Sequence, residues 1–245
     1  MTPAGVGLRG SGVAVSAAAR LLADAGFAID RSAAPQSSRP APPSGPVPMV
    51  LLGDAALGLL RDIFGQPALF ADLWRIERRV VAWGGAVSRH PHGAVVAGAG
   101  DVAAALDAAI PAEAPAPASA PQFFALCAAR PFPGETLRQF GDRAAFAAPV
   151  TLAAHADPRA CHVEAVAEGW LFLMPQCADR GWLLAVGAPP DRLLGESRLV
   201  APEIDAAGPA RGPFPAAPAM IETLGGADWL AMGSAAIRFD PICGD

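Results

Sequence analysis

The stretch Gly5-Val6-Gly7-Leu8-Arg9-Gly10-Ser11-Gly12-Val13-Ala14-Val15 decides how the chain is read. Val6 and Leu8 alternate with small or polar neighbours, the pattern of a short strand. Gly10-Ser11-Gly12 follows. Val13 to Ala25 then reads as an Ala-rich helix with Val13, Ala17, Leu21 and Ala25 on one stripe. Gly26 is placed to end that helix as a left-handed cap, and Phe27-Ala28-Ile29 reads as a second strand. Strand, tight glycine turn, helix and strand together aim backbone N–H groups at an anion. Two registers of Gly-x-Gly-x-x-Gly compete. Gly5 to Gly10 is the literal match, but the residues before it are too few to form the strand that must deliver the turn. The register beginning at Gly10 has its strand and helix in place, with Val15 where a third glycine would stand. It sets Gly10, Ser11, Gly12 and Val13 against a dinucleotide pyrophosphate. The competing reading is coincidence, because the chain holds 26 glycines. Asp30, the acidic residue following the second strand, is placed to hold a ribose hydroxyl. Alternatively, it is a solvated residue that opens the next loop.

Composition narrows what such a unit can serve. Hydrophobic residues make up 53% of the 245 residues and charged residues 17%, which argues for a folded core rather than a disordered chain. Mean hydropathy is +0.34, but the excess is Ala and Gly, and no run of about 18 apolar residues is free of charge and proline. No membrane association is expected. The formal net charge is -5, all 18 basic residues are Arg, and Tyr is absent. An acidic chain with scattered Arg lacks the basic footprint of a nucleic-acid partner. Absence of Lys removes Schiff bases, the P-loop lysine and lysine acid–base chemistry. Cys127, Cys161, Cys177 and Cys243 form no Cys-x-x-Cys pair, so reduced, packed thiols in a cytoplasmic setting are expected. The apolar segment from Gly12 to Ala19 after Arg9 is short for a secretory signal, and Arg20 and Asp24 continue it at helical spacing.

Further along, residues 33–48 are rich in Pro and Ser and read as a linker. Asp54 is placed to cap a helix to Phe64 with Ala55, Leu59, Leu60 and Ile63 inward. Ile76 to Trp83 and Ala94-Val95-Val96 read as strands, and Asp101 begins a helix. Residues 115–121 form another Pro/Ala linker. The second half changes character. The apolar runs Phe123–Cys127, Val150–Ala154, Cys161–Val166, Trp170–Met174 and Trp182–Val186 recur between turn residues, which predicts an antiparallel sheet. A short helix around Asp191–Leu199 and a strand at Trp229–Met232 complete the reading.

Other constellations are weaker. His90 and His92 flank Pro91 without acidic or Cys neighbours to complete a ligand set, so no metal is expected. His155 with Asp157, and His162 with Glu164, are candidate proton-transfer pairs by spacing alone. Arg75, Arg78 and Arg79 read as a solvated strand edge, though one of them could meet a phosphate. Cys161 and Cys177 read as core thiols, and no Gly-x-Ser-x-Gly elbow occurs.

Two later segments carry a resemblance. Gly169-Trp170-Leu171-Phe172-Leu173-Met174-Pro175 resembles the Trp-x-Trp-x-Ile-Pro strand of flavin-dependent halogenases, with Phe172 for the second Trp. Gly233-Ser234-Ala235-Ala236-Ile237-Arg238-Phe239-Asp240-Pro241-Ile242-Cys243-Gly244 resembles the Gly-Asp-Ala-Ala…Asp-Pro…Gly segment of FAD monooxygenases and halogenases. The order matches too: glycine turn, antiparallel sheet, Asp-Pro segment. The chain is therefore similar to FAD-dependent oxidoreductases on the hydroxybenzoate-hydroxylase plan, on the tryptophan-halogenase-like branch.

The resemblance implies an α/β fold, α+β overall, with a Rossmann-like FAD-binding layer and an interleaved, mostly antiparallel substrate sheet. It implies a discontinuous cofactor domain from residues 1–32, 49–75, 93–112 and 215–245. Residues 76–92 and 121–206 would form the substrate domain, with 33–48, 113–120 and 207–214 as linkers. FAD would contact Gly10, Ser11, Gly12, Val13, Asp30, Gly233, Asp240, Pro241 and Gly244. Trp170, Phe172 and Pro175 would wall the substrate pocket, with sheet core as the other reading of the aromatic pair. The implied activity is monooxygenase-type oxidation of a small molecule or a peptide side chain. Electrons would come from NAD(P)H or a separate flavin reductase.

Several departures bear on this. Val15 replaces the third glycine, Ser234 replaces the Asp of the Gly-Asp pair, and the family's Glu-Arg after the second strand is missing. The segment from Val95 to Asp101 lacks the Arg of the family's Val-Val-x-Arg pattern. Without Lys, the halogenase lysine has no counterpart, so oxygenation is expected rather than lysine-dependent halogenation. The family continues past the position of Asp245 into a helix facing the flavin. The alternative expectation is thus a truncated or degenerate, non-catalytic relative serving as an interaction or maturation module.

Overall fold

The computed structural model describes residues 5–10, 12–31, 49–110, 123–126 and 136–243. Strand β1 (Gly5–Arg9) buries Val6 and Leu8 and leads through Gly10 to helix α1 (Val13–Asp24). The helix returns the chain to β2 (Ala28–Asp30), which lies parallel to β1, with Gly7 opposite Asp30. Gly26 ends α1 at φ +84°. Its N–H donates to the Ala23 carbonyl at 2.9 Å, and the Phe27 N–H donates to the Leu22 carbonyl at 3.0 Å, the Schellman closure. We expect Gly26→Ala to lower stability by about 1–2 kcal/mol in urea unfolding, because a Cβ is disfavoured at left-handed φ.

The inward stripe of α1 differs from the expected one. Val15, Ser16 and Ala19 are buried, while Val13 is 38% and Leu21 52% exposed. In an Ala-rich helix several stripes look alike, and packing on Val6 and Leu8 selects the one bearing Val15. The same holds after β3 (Met49–Gly53), in α2 (Asp54–Phe64). There Leu57, Leu60 and Phe64 are buried, and Leu59 is 61% exposed. The N-cap of α2 is Gly53. Asp54 sits in the first turn, bonded to Arg75 at 2.8 Å.

Next come β4 (Trp74–Trp83), β5 (Ala86–Gly98) and α3 (Ala99–Ala108). Gly84 and Gly85, at φ +59° and +82°, make the two-residue turn between β4 and β5 that suits strand twist. Strand β6 (Phe123–Leu126) departs from expectation: it is not part of the antiparallel sheet but lies parallel to β1. Its unbroken apolar run is the pattern of a parallel strand covered on both faces, not of a half-exposed one. Cys127 lies outside the described residues. Then follow β7 (Leu137–Gln139), β8 (Ala144–Leu152), β9 (Ala160–Val166), β10 (Gly169–Pro175), β11 (Arg180–Val186) and α4 (Pro190–Glu196). The described chain closes with β12 (Ile204–Ala207), β13 (Arg211–Pro215), β14 (Ala219–Ile221), β15 (Trp229–Ala231) and β16 (Ile237–Arg238).

Three sheets result. The first is wholly parallel, in the order β15-β6-β1-β2. The chain leaves β1 toward β2 on one side and reaches β6 on the other, so the order reverses beside β1, where open α/β sheets bind ligands. The second sheet runs β12-β8-β11-β10-β9-β4-β5-β3, with β13 on β8; all neighbours are antiparallel except β4 and β9. The expected antiparallel runs from Val150 to Val186 lie here. A small sheet joins β16, β14 and β7.

Alternation divides β10 between the faces of the large sheet. Leu171 and Leu173 pack with Leu183 and α4's Leu193. Trp170, Phe172 and Met174 face the other way, with Cys161, Trp182 and Leu184.

Candidate functional site

The glycine turn is the best-defined feature. Gly10 and Gly12 both stand at φ +102°, and Gly12, with ψ −177°, is the N-cap of α1. That combination is essentially restricted to glycine. The Gly12 carbonyl accepts the N–H groups of Val15 and Ser16, each at 3.1 Å, which starts the helix. Among the described residues nothing accepts from the amides of Gly12, Val13 and Ala14, and no acidic residue lies in the first turn. A Cβ built on Gly12 meets nothing within 4 Å. The turn therefore presents unclaimed donors and the positive end of a 12-residue helix to open space, beside the reversal of strand order. Ser11 lies outside the described residues.

Behind the turn, α1 is anchored. The buried Ser16 hydroxyl donates to Asp107 Oδ1 of α3 at 2.5 Å, and Arg31 Nη2 donates to the same oxygen at 2.7 Å. Burial works to raise the Asp107 carboxyl, but these two donors outweigh it and hold it below its ordinary value. We expect Ser16→Ala to cost about 1.5–3 kcal/mol, the range for a hydrogen bond to a charged group, read as a lower urea midpoint.

The start of the Gly233–Gly244 segment reaches the same place. Gly233, at φ +57°, opens a short 3₁₀ turn, and a Cβ on it would stand 3.1 Å from the Ala14 Cβ. The fold thus brings the second glycine motif against the first turn of α1. Asp240 caps the turn Pro241–Cys243 through Oδ1, which accepts the Ile242 N–H at 3.0 Å. Its Oδ2 accepts from Arg143 Nη1 at 2.9 Å. Arg143 escaped the sequence reading because 97 positions separate the pair and no local pattern links them. Gly244 lies outside the described residues. Asp30 ends β2 as expected, but its Oδ2 lies 3.6 Å from Arg9 Nη1, so the carboxylate already has a cation beside it.

The three residues expected to wall a substrate pocket divide between faces. Trp170 is buried, and Phe172 is half-buried on the same face. Pro175 falls on the opposite face by alternation. The candidate His–acid pairs do not form. Asp157 accepts from Arg78 at 2.7 Å and from the Arg159 N–H at 2.9 Å. Buried Glu164 instead binds the Ser197 hydroxyl and the N–H groups of Arg198, Leu199 and Val200. Burial lowers the His162 imidazole, with Glu203 and Asp157 opposing and Arg89 reinforcing.

Burial raises the Cys161 thiol despite Arg79, which makes it a core thiol rather than a nucleophile. Cys177, by contrast, is not in the core: it is half-buried, and its Sγ donates to Asp179 at 3.1 Å. Among the described residues no three His, Cys, Asp or Glu side chains cluster to hold a metal, and no helix is long and apolar enough to cross a membrane. A cavity of about 330 Å³ lies between the β4–β5 turn, the β9–β10 turn and the exit of α4. Glu164 of the candidate His–acid pair lines it; none of the residues expected to meet FAD or substrate does.

No protein-family model matches the chain, and no curated protein is similar to it. Solved structures are similar. A peptidyl tryptophan dihydroxylase, QhpG, essential for tryptophylquinone cofactor biogenesis, superimposes with TM-score 0.72 at 19% identity, over 100% of this chain and 63% of its own. The flavin-dependent halogenase CmlS gives 0.78 at 15%, over 100% of this chain and 55% of that one. The p-nitrophenol 4-monooxygenase PnpA from Pseudomonas putida DLL-E4 gives 0.67 at 14%, over 98% and 74%. The chain thus spans less than two thirds of the first two. Its architecture is that of flavin-dependent halogenases, hydroxylases and monooxygenases, a Rossmann-like layer with an interleaved, mostly antiparallel sheet.

Proposed function

We propose that the chain binds FAD at the glycine turn and acts as an FAD-dependent oxidoreductase that oxidises an organic substrate by monooxygenase-type chemistry. The observation that carries this is the open N-terminus of α1 behind a glycine-only cap, with Gly233 packed on Ala14. The residues present fit the cofactor. The amides of Gly12, Val13 and Ala14 would hold the diphosphate, and the space before Gly12 admits its oxygens. Asp30, although its Oδ2 lies beside Arg9, would accept from a ribose hydroxyl. Pro241 has no N–H and Asp240 takes that of Ile242, so in the turn Pro241–Cys243 the Cys243 N–H would face negative charge on the ring. The bound flavin supplies the redox step; the protein supplies position, electrostatics and exclusion of water. Trp170 and Phe172 would wall the substrate side.

The electron donor in this reading is NAD(P)H or a separate flavin reductase. The substrate is a small molecule or a peptide side chain, the latter supported by the likeness to a peptidyl tryptophan dihydroxylase. A cytoplasmic setting suits the free thiols of Cys161 and Cys177. The Asp30–Arg9 pair favours the second reading, a non-catalytic relative, because a carboxylate already paired is a weaker ribose acceptor.

Titration of the purified chain with FAD decides between them. We expect flavin fluorescence quenching and shifted absorbance bands with Kd at or below about 10 µM, roughly 7 kcal/mol of binding. Absence of either signal at ten times that concentration overturns the proposal.

A further inference from the structure

The cavity of about 330 Å³ beside the β4–β5 turn lies on the face of the large sheet away from Trp170. Strand register fixes its floor. Leu171, Glu164, Ala82 and Val87 are successive Cα partners across β10, β9, β4 and β5, so all four share the face that carries Leu171. Ala82, Val166 and Leu199 are half-buried and Val87 is exposed, which leaves aliphatic surface open inside the cavity. The loop after α4 forms one wall, and it is pinned from within. The Arg198 N–H donates to Glu164 at 2.7 Å and the Leu199 N–H at 3.0 Å. Ser197 Oγ accepts the N–H groups of Val200 at 3.1 Å and Ala201 at 2.8 Å.

Two opposite charges line the cavity. The Arg198 guanidinium meets no acceptor among the described residues. Glu196 Oε2 accepts the Ala167 N–H at 3.1 Å, which holds its carboxylate at the β9–β10 turn and leaves Oε1 without a donor among the described residues. Glu164 lines the cavity as well, but the Ser197 hydroxyl and three amides already claim its charge. What remains on offer is one cation, one anion and an aliphatic floor. A lone anion meets Glu196 as a like charge, and a lone cation meets Arg198. The ligand that fits carries both charges close together on a small branched body.

We infer that this cavity is a second ligand site, for a free α-amino acid with an aliphatic side chain. Its carboxylate pairs with Arg198, its ammonium with Glu196, and its side chain rests on Ala82, Val87, Val166 and Leu199. A guanidinium takes a carboxylate through two parallel N–H donors. Both charged side chains are exposed, so each pair is weak by itself and binding needs the two together with the floor. The site goes beyond the FAD reading and does not depend on it.

The test is NMR titration of the FAD-free chain with L-valine, with isovalerate, which lacks the ammonium, and with isobutylamine, which lacks the carboxylate. We expect valine to bind with Kd on the order of 1 mM and each single-charge analogue at least about fivefold more weakly. Arg198→Gln should remove the preference for valine over isobutylamine and keep the folded spectrum. Glu196→Gln should remove the preference for valine over isovalerate. Absence of valine binding at about 20 mM, an analogue that binds as tightly as valine, or preferences unchanged in both variants overturns the inference. Should either variant fail to fold, the three probes on the wild type still decide. FAD titration of the same samples reads the cofactor proposal separately.

Discussion

Gly12→Ala is expected to raise the Kd for FAD at least about 100-fold while the chain stays folded. At φ +102° and ψ −177°, Gly12 occupies a conformation closed to L side chains. Alanine there strains the backbone by about 1–3 kcal/mol or forces the turn to rearrange. Either outcome misaims the amides of Val13 and Ala14. A Cβ that kept the present backbone would enter the empty space before the turn, where nothing stands within 4 Å and where the diphosphate is proposed to lie. A 100-fold loss corresponds to about 2.7 kcal/mol of binding. The strain alone stays below the 5–15 kcal/mol by which domains are typically stable, so folding survives. Gly26→Ala is the matched control: it also places a Cβ at positive φ, but at the far end of α1. It should lose stability and keep FAD. If Gly12→Ala binds FAD within threefold of the wild type, the glycine turn is not the diphosphate site.

What could be read from residues alone was what neighbours in sequence determine. The β1–α1–β2 unit was legible because positive-φ glycines at 10, 12 and 26 bracket it, and each acts within a few residues. Strands β8 to β11 were legible because apolar runs and turns alternate along the chain. The inward faces of α1 and α2 were not, since Val13 and Val15, or Leu57 and Leu59, are interchangeable until the sheet beneath selects one. Nor was the direction of β6, which depends on pairing with β1 more than a hundred residues earlier. The site followed the same division. Gly10 and Gly12 were found by local pattern. The Arg143–Asp240 contact joins residues 97 positions apart and leaves no trace in spacing.

Glu164→Ala is expected to produce the largest loss of stability, about 3–5 kcal/mol, the range for removing one partner from a buried charged network. Glu164 is 5% exposed, and its carboxylate is the shared acceptor for one hydroxyl and three amides: Arg198 at 2.7 Å, Leu199 at 3.0 Å and Val200 at 2.8 Å. It ties the loop after α4 to the middle of β9 and so holds Val200 and Leu193 over the leucines of β10 and β11. Removing it leaves the Arg198 and Leu199 N–H groups and the Ser197 hydroxyl without their acceptor beneath a packed loop, while the Val200 N–H keeps Ser197 Oγ at 3.1 Å. Glu164→Gln keeps the volume but turns one acceptor into a donor facing other donors, so it should recover less than half of the loss. The pH dependence separates charge from packing. Burial works to raise the Glu164 carboxyl, yet Ser197 and the three amides outweigh it and hold it below the ordinary value of 4.5. A carboxylate depressed in the folded state adds stability above its unfolded pKa, and that stability is lost as pH falls toward and through the folded pKa. Urea unfolding at pH 7 and at about pH 4 should therefore show the wild type losing more stability than Glu164→Ala, narrowing the gap between them at acid pH. A gap below about 1 kcal/mol at neutral pH, or one that widens on acidification, would show that the loop is held by its apolar contacts rather than by this carboxylate.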